Sequence, residues 1–182
     1  MNKIIAISLL TFVFTFHTQA QKREYSFKES FQLQQPISLT ISSTNSDIEV
    51  IAHEKEEVII YYSIVQQGKL LQLSKAELEQ KVADQWKFNL DSSARKLKLE
   101  VYSTVKSGFI EPQHKIDVHF KVCVPKRTTT ELTSSDGDIK VKGLSLDQKC
   151  HTHDGNIQLT DIAGDVDALS SDGDIFLKNV EG

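Results

Sequence analysis

The sequence predicts an all-β protein: a β-solenoid built from stacked repeats in its C-terminal part, preceded by a β-rich part with one short helix. A four-residue phrase occurs three times at intervals of 18 residues, as Asp136–Ile139, Asp154–Ile157 and Asp172–Ile175. A fixed short period is typical of units that cannot bury their own apolar faces and must stack on one another. Most of the remaining chain alternates apolar and polar residues, which indicates strands.

The first twenty residues have the pattern of an export signal. Lys3 supplies a positive charge, residues 4–16 are apolar, and Thr18-Gln19-Ala20 forms a small-residue cleavage site. The apolar run of 13 residues is shorter than the ~20 needed to cross a bilayer, and no later segment is long enough. We therefore expect a mature chain that begins at Gln21, has no transmembrane segment, and lies in the periplasm, at the cell surface or outside the cell.

The charge balance argues against two classes of partner. The 182 residues include 21 Lys and Arg against 25 Asp and Glu, a formal charge of −4, and loss of Lys3 with the signal makes it −5. A mildly acidic chain without a basic run is not typical of proteins that bind nucleic acid or anionic membranes. The length after residue 20 suffices for one large domain or two small ones.

Residues 21–115 make up the predicted β-rich part. Between residues 25 and 65, short apolar or alternating runs indicate strands that are separated by turns. Residues 45–48, Asn-Ser-Asp-Ile, are a degenerate form of the repeat phrase and suggest that the ancestry of the repeat extends this far. Residues 86–90 and 97–101 alternate as the arms of a hairpin, and residues 103–115 are expected to form a loop.

The one good helix candidate covers residues 74–84. Ser74, followed three residues later by Glu77, matches the capping-box pattern at a helix N-terminus. Leu78 and Val82 share one face, with Trp86 one turn further on. We expect this helix to cover a face or an edge of a sheet, with Trp86 as a core anchor rather than a binding residue.

Residues 116–182 contain a long strand, residues 116–124, followed by the repeat. Aligning the copies produces apolar columns that face one way: Ile139, Ile157 and Ile175; Val141, Leu159 and Leu177; Leu132, Cys150 and Ala168; Ile162 and Val180. In a parallel stack, equivalent residues would lie ~4.8 Å apart. An antiparallel meander is the alternative, because Asp-Gly between alternating runs is also a hairpin signal, but a meander needs no exact period.

The repeated glycines at positions 137, 155 and 173 are expected to occupy corners with positive φ, a conformation that residues with a Cβ resist. On this interpretation, Gly155→Val should destabilise the protein by a few kcal/mol through strain at the corner.

The run Val122-Cys123-Val124-Pro125-Lys126 leads into residues 132–139 and two further Asp-Gly turns. With these residues, the chain resembles a bacterial family of exported β-strand-repeat proteins that are catalogued as adhesins of unknown function, related to the head domains of autotransporter adhesins. The resemblance covers residues 116–182 and, more weakly, 36–65. It implies a right-handed parallel β-helix and a place in the cell envelope, and it supplies no catalytic residues.

Members of this family are often longer than this chain. A stack that stops at Gly182 without a cap would leave an open sheet edge, which truncation of the sequence or pairing with another chain would explain.

The aspartates suggest a calcium site. Asp136, Asp154 and Asp172 would form one ladder, and the residues two positions later, Asp138, Asn156 and Asp174, would form a second. Like charges ~4.8 Å apart repel one another, and calcium would relieve this repulsion with oxygen ligands. The favoured explanation is structural, since aspartates stabilise turns through hydrogen bonds to the backbone and the calcium-binding nonapeptide of other β-rolls is absent.

Histidines and cysteines provide weaker candidates. His151 and His153 would share one face near Asp154, but they lack a third ligand for a transition metal. Cys123 is expected to point away from the core and Cys150 into it. The sequence leaves open whether these two thiols form a disulfide or stay free.

The leading functional hypothesis is a non-enzymatic, exported cell-envelope protein, either an adhesin or a structural surface that contacts glycans or envelope proteins. We assign no catalytic, cofactor-binding or metal-binding residues, since motifs such as a nucleophile elbow or a phosphate loop are absent. Two alternatives are a β-helix carbohydrate-active enzyme that uses paired carboxylates, and a calcium-stabilised stalk.

Overall fold

The computed structural model describes residues 25–105 and 111–182, so the export signal predicted for residues 1–20 lies outside the described residues. The elements are β1 (Phe27–Phe31), β2 (Ile37–Ser43), β3 (Ile48–His53), β4 (Val58–Gln66), β5 (Lys69–Leu70), α1 (Lys75–Val82), β6 (Trp86–Ser92), β7 (Lys96–Ser103), a 3-10 turn (Pro112–His114), β8 (Ile116–Pro125), β9 (Thr128–Thr133), β10 (Ile139–Lys142), β11 (Gln148–Thr152), β12 (Ile157–Ala163), β13 (Val166–Ser170) and β14 (Ile175–Glu181). No helix in these two ranges has the length and apolar character needed to cross a membrane.

The strands form two mixed, open sheets, an arrangement like that of a β-sandwich. The larger sheet has the order β1-β4-β8-β3-β10-β12-β14, with β5 paired to β4, and the smaller sheet has the order β13-β11-β9-β2-β7-β6. Antiparallel pairs join β4 to β1, β5 and β8, and join β6 to β7, while the remaining pairs are parallel. Neither sheet closes on itself.

The prediction of a right-handed parallel β-helix, or solenoid, is therefore wrong. Successive copies of the repeat do pair in parallel and in register, which also excludes the antiparallel meander for this region. However, strands from earlier in the chain complete both sheets: β3 lies between β8 and β10, and β2 lies between β7 and β9. The 18-residue period reports only how neighbouring copies pair, so it does not reveal these antiparallel and interleaved strands.

The predicted apolar columns of the repeat are confirmed. Ile139 pairs with Ile157, and Ile157 pairs with Ile175, along the inner face of the larger sheet. The degenerate phrase joins the same column, because Ile48 pairs with Ile139 from the other side. Ile139 and Ile157 are fully buried, whereas Ile175 on the outermost strand is 41% exposed.

Helix α1 begins as predicted. The Ser74 side chain accepts a hydrogen bond from the Glu77 backbone N–H, and the Glu77 carboxylate accepts one from the Ser74 N–H, so the capping box is complete. Leu78 and Val82 are buried against the core. Trp86 is also buried, and its Nε1 donates to the Ile116 carbonyl at 2.8 Å, which confirms it as a core anchor. The predicted hairpin is the antiparallel pair β6–β7.

Candidate functional site

The repeated glycines lie where one corner of the chain rests directly on the next. A Cβ placed on Gly155 would lie 2.1 Å from the carbonyl oxygen of Gly137, and one on Gly173 would lie 2.0 Å from that of Gly155. The predicted positive φ is wrong, because among glycines in the described ranges only Gly68 and Gly143 have it. Close approach of backbones, rather than an unusual conformation, excludes a side chain here.

A column of hydroxyl groups connects these corners. The Thr152 hydroxyl accepts from the Gly155 N–H at 3.3 Å and donates to the Gly137 carbonyl at 3.1 Å. Ser134 and Ser170 occupy the equivalent positions and make the equivalent pair of bonds. Each hydroxyl therefore joins its own corner to the preceding one, so the Ser/Thr-x-x-Gly spacing is a structural motif.

The second acidic column is part of the same construction. Asp138 accepts a hydrogen bond from the Asn156 N–H at 2.9 Å, and Asn156 accepts one from the Asp174 N–H, also at 2.9 Å. Asp47 of the degenerate phrase accepts from the Asp138 N–H at 3.0 Å. These side chains satisfy backbone donors at the sheet ends, which supports the structural explanation preferred for them in the sequence.

Within the described ranges, the structure brings together one group with the donor set of a metal site. His153, Asp154 and Asp172 have ligand atoms within 4.8 Å of one another, and all three residues are exposed. A hydrogen bond to Asp154 raises the pKa of His153. His151 does not join this group, since its Nε2 lies 3.4 Å from a carboxylate oxygen of Asp167. Calcium binding by Asp136, Asp154 and Asp172 stays an untested alternative to the structural explanation.

Both cysteines are free thiols and point as predicted. Cys123 lies on the outer face of the larger sheet beside Ile51 and is half-buried. Cys150 is buried on the inner face of the smaller sheet, between Leu132 and Ala168, and burial raises its pKa to about 12.

A cavity of about 490 Å³ lies beside α1 and was not identified from the sequence. Its walls include the aromatic side chains of Phe27, Tyr62 and Trp86. At its rim, the Tyr62 hydroxyl donates to Glu29 at 2.8 Å, and Lys75 forms an ion pair with the other oxygen of Glu29. Burial, together with Glu29, raises the pKa of Tyr62. The polar groups of this triad therefore satisfy one another and hold α1 against β1.

The outer face of the larger sheet provides a broader surface. Strand registers place two rows of side chains across seven strands on the outer face, since the residues between them point to the inner face. The first row is Lys28, Tyr61, Lys121, Glu49, Lys140, Gln158 and Phe176. The second row is Ser30, Ile59, Cys123, Ile51, Lys142, Thr160 and Lys178, in which Ile59 is buried and Cys123 is half-buried. We call these two rows the lysine face, because they contain five lysines and one acidic residue.

The outer face of the smaller sheet is different, because its charges are balanced. One row across this sheet reads Asp91, Lys98, Thr40, Glu131, Lys149 and Asp167. Lys98 is paired with Glu100 at 2.6 Å, and Lys149 lies 4.0 Å from Glu131. Basic character is therefore concentrated in the two rows of the lysine face, beside the acidic column that contains Asp47, Asp138 and Asp174. The overall charge of the sequence conceals this separation.

The outermost strands β13 and β14 carry exposed apolar residues. Leu169 and Phe176 point outward, while Ile175 and Leu177 belong to the inner columns that are buried in the preceding copies. Unpaired strand edges of this kind can accept another strand. The predicted pairing of this edge with another chain stays a prediction.

No family model matches the chain, and no curated protein does. Among solved structures, it is similar to a crystal structure of a "putative cell adhesion protein" from Clostridium sporogenes, with 9% sequence identity and a TM-score of 0.42. The similarity covers 84% of this chain and 98% of that one. A likeness this weak supports no argument about fold or function.

Proposed function

We propose that this protein is a non-enzymatic, exported protein of the cell envelope that presents an adhesive or structural surface to glycans or other envelope proteins. The observation that carries the proposal is the lysine face, on which side chains from seven strands lie in register. Such a regular surface offers many weak polar contacts to an extended partner. It does not require the concave cleft typical of small-molecule sites.

The arrangement of the acidic residues supports a non-enzymatic function. Glycoside hydrolysis by paired carboxylates needs one group available as an acid and the other as a base or nucleophile. The carboxylates of Asp47 and Asp138 instead accept the backbone N–H groups of Asp138 and Asn156 at the sheet ends. The carboxylate beside the cavity, Glu29, is held by Tyr62 and Lys75.

A glycan panel tests this proposal directly. We expect the purified protein to bind glycans or isolated envelope proteins and to leave every bound polymer intact. Release of new reducing ends would support the carbohydrate-active enzyme instead. Binding to no glycan and no envelope protein would overturn the proposed surface function.

Export is tested separately in the native cells. We expect fractionation to recover the protein from the periplasm, the cell surface or the medium. Digestion of intact cells with an added protease would distinguish the surface location from the periplasmic one. Recovery in the cytoplasmic fraction alone would contradict export.

A further inference from the structure

We propose that the lysine face binds a linear acidic polysaccharide, and this inference rests on the proposed surface function. Lys140, Lys142 and Lys178 are exposed, and among the described residues no carboxylate lies within ion-pairing distance of any of them. The acidic member of the face, Glu49, is already paired with Lys121 at 3.5 Å. Lys140 interacts electrostatically with Asp47 at the adjoining strand end, but none of the three lysines forms a direct ion pair with a described residue. The face therefore retains ammonium groups that a ligand can contact.

The spacing of these lysines is regular because the strands are in register. Lys121 and Lys140 are separated by β3, and Lys142 and Lys178 are separated by β12. With strands ~4.8 Å apart, the backbone positions in each pair lie about 9.6 Å apart. Lys140 and Lys142 are two positions apart on one strand, or about 6.6 Å. An extended polymer with charges at regular intervals can follow such a pattern without folding around it.

The other members of the face favour a saccharide over other polyanions. Tyr61 and Phe176 lie in the same row as Lys121 and Lys140, and Phe176 is 56% exposed. Aromatic side chains provide flat apolar surfaces, against which the C–H groups of a sugar ring can pack. Gln158 lies between Lys140 and Phe176, and its amide can both donate to and accept from hydroxyl groups. Lysine provides point charges that suit isolated carboxylates.

Polygalacturonate is a suitable probe, and its fully methyl-esterified form is the matched ligand, with the same backbone but no charge. We expect the protein to bind polygalacturonate, to bind the ester at least tenfold more weakly, and to lose affinity as salt is added. The triple variant Lys140→Gln, Lys142→Gln, Lys178→Gln should weaken binding about ten- to hundredfold, since each exposed ion pair contributes modestly.

A matched control uses the balanced face of the smaller sheet. The variant Lys96→Gln, Lys98→Gln, Lys149→Gln removes the same charge from equally exposed strand positions and should retain the original affinity. An unchanged unfolding midpoint for both triple variants would show that they fold. Equal losses in the two variants would overturn the inference, because they would show that only net charge matters.

The remaining outcomes separate the inference from the proposed function. Equal binding of polygalacturonate and its ester would overturn the acidic specificity while supporting a glycan-binding surface. Tighter binding of a single-stranded oligonucleotide than of polygalacturonate would overturn the choice of a polysaccharide. Failure to bind polygalacturonate, with binding of neutral glycans or envelope proteins intact, would overturn the inference alone.

Discussion

A single methyl group at Gly155 should be enough to disrupt the contact between successive corners. The Cβ of Gly155→Ala would lie 2.1 Å from the Gly137 carbonyl oxygen, whereas ordinary contact begins at 3.4 Å. The two backbones would have to separate by the difference, 1.3 Å. Flexible side chains can often rotate away from an added methyl group, but here the obstacle is the main chain of the preceding corner, which β9 and β10 hold at both ends.

The loss of stability can be calculated from the hydrogen bonds that cross this contact. A 1.3 Å displacement would break the 3.1 Å bond from Thr152 to Gly137 and the 2.9 Å bond from the Asn156 N–H to Asp138. Two or three such hydrogen bonds at about 1 kcal/mol each, with about 1–3 kcal/mol of overpacking, lower the free energy of unfolding by about 3–6 kcal/mol. For a domain of this size, the melting temperature should fall by roughly 6–24 °C.

Thermal unfolding followed by far-ultraviolet circular dichroism measures this effect, and Gly68→Ala is the control. Gly68 has a φ of +70°, but no heavy atom lies within 4 Å of an added Cβ. A left-handed backbone conformation costs a residue with a Cβ about 1–2 kcal/mol. Gly68→Ala should therefore lower the melting temperature less than Gly155→Ala. If Gly155→Ala has no effect, or a smaller effect than Gly68→Ala, the close-approach explanation of the repeat is refuted.

Three further predictions concern His119, the two thiols and calcium. Hydrogen bonding to Asp47 raises the pKa of His119 in the folded protein above its ordinary value of 6.5. The stabilising contribution of His119 is therefore complete below pH 6.5 and is lost as the pH rises through the raised pKa of the folded state. The difference in urea-unfolding free energy between the wild type and His119→Gln should therefore shrink from mildly acidic to mildly alkaline pH, and a constant difference would contradict this. Burial raises the pKa of both thiols, so native alkylation should be slow at Cys123 and slower still at Cys150, with mass spectrometry as the readout; rapid labelling of Cys150 would show that the core opens there. Calcium or a chelator should leave the melting temperature unchanged, because Asp154 and Asp172 are exposed to water and Asp138 already accepts the Asn156 N–H. A calcium-dependent rise would support the stalk alternative.

Local patterns in the sequence predicted the elements they directly encode. Ser74 and Glu77 form a capping box within one turn of helix, so the start of α1 needed no knowledge of the rest of the fold. The isoleucine column was also predictable, because an exact repeat places Ile139 and Ile157 in equivalent surroundings. The orientation of Cys123 followed from the alternation of apolar residues along its strand, and that of Cys150 from its place in a repeat column with Leu132 and Ala168.

The fold class was not predictable from the repeat, because its other strands come from segments with no period. β4 pairs antiparallel with β8, and nothing in either strand specifies the direction of its neighbour. The close approach that requires glycine at position 137 was not predictable either. A Cβ there would meet the carbonyl group of Ser46, which is far away in the sequence. The lysine face also needed the registers, because Lys121 and Lys140 become neighbours across β3 only when the sheet is assembled.

Chemical-shift mapping by nuclear magnetic resonance tests the central claim, that function resides on the outer face of the larger sheet. Polygalacturonate would be titrated into the isotopically labelled protein while the backbone amide signals are followed. We predict that the shifts cluster on β8, β3, β10, β12 and β14, around Lys140, Lys142 and Lys178, and spare the smaller sheet. Shifts confined to the smaller sheet, to the cavity beside α1 or to the corner at Asp154 would contradict the account.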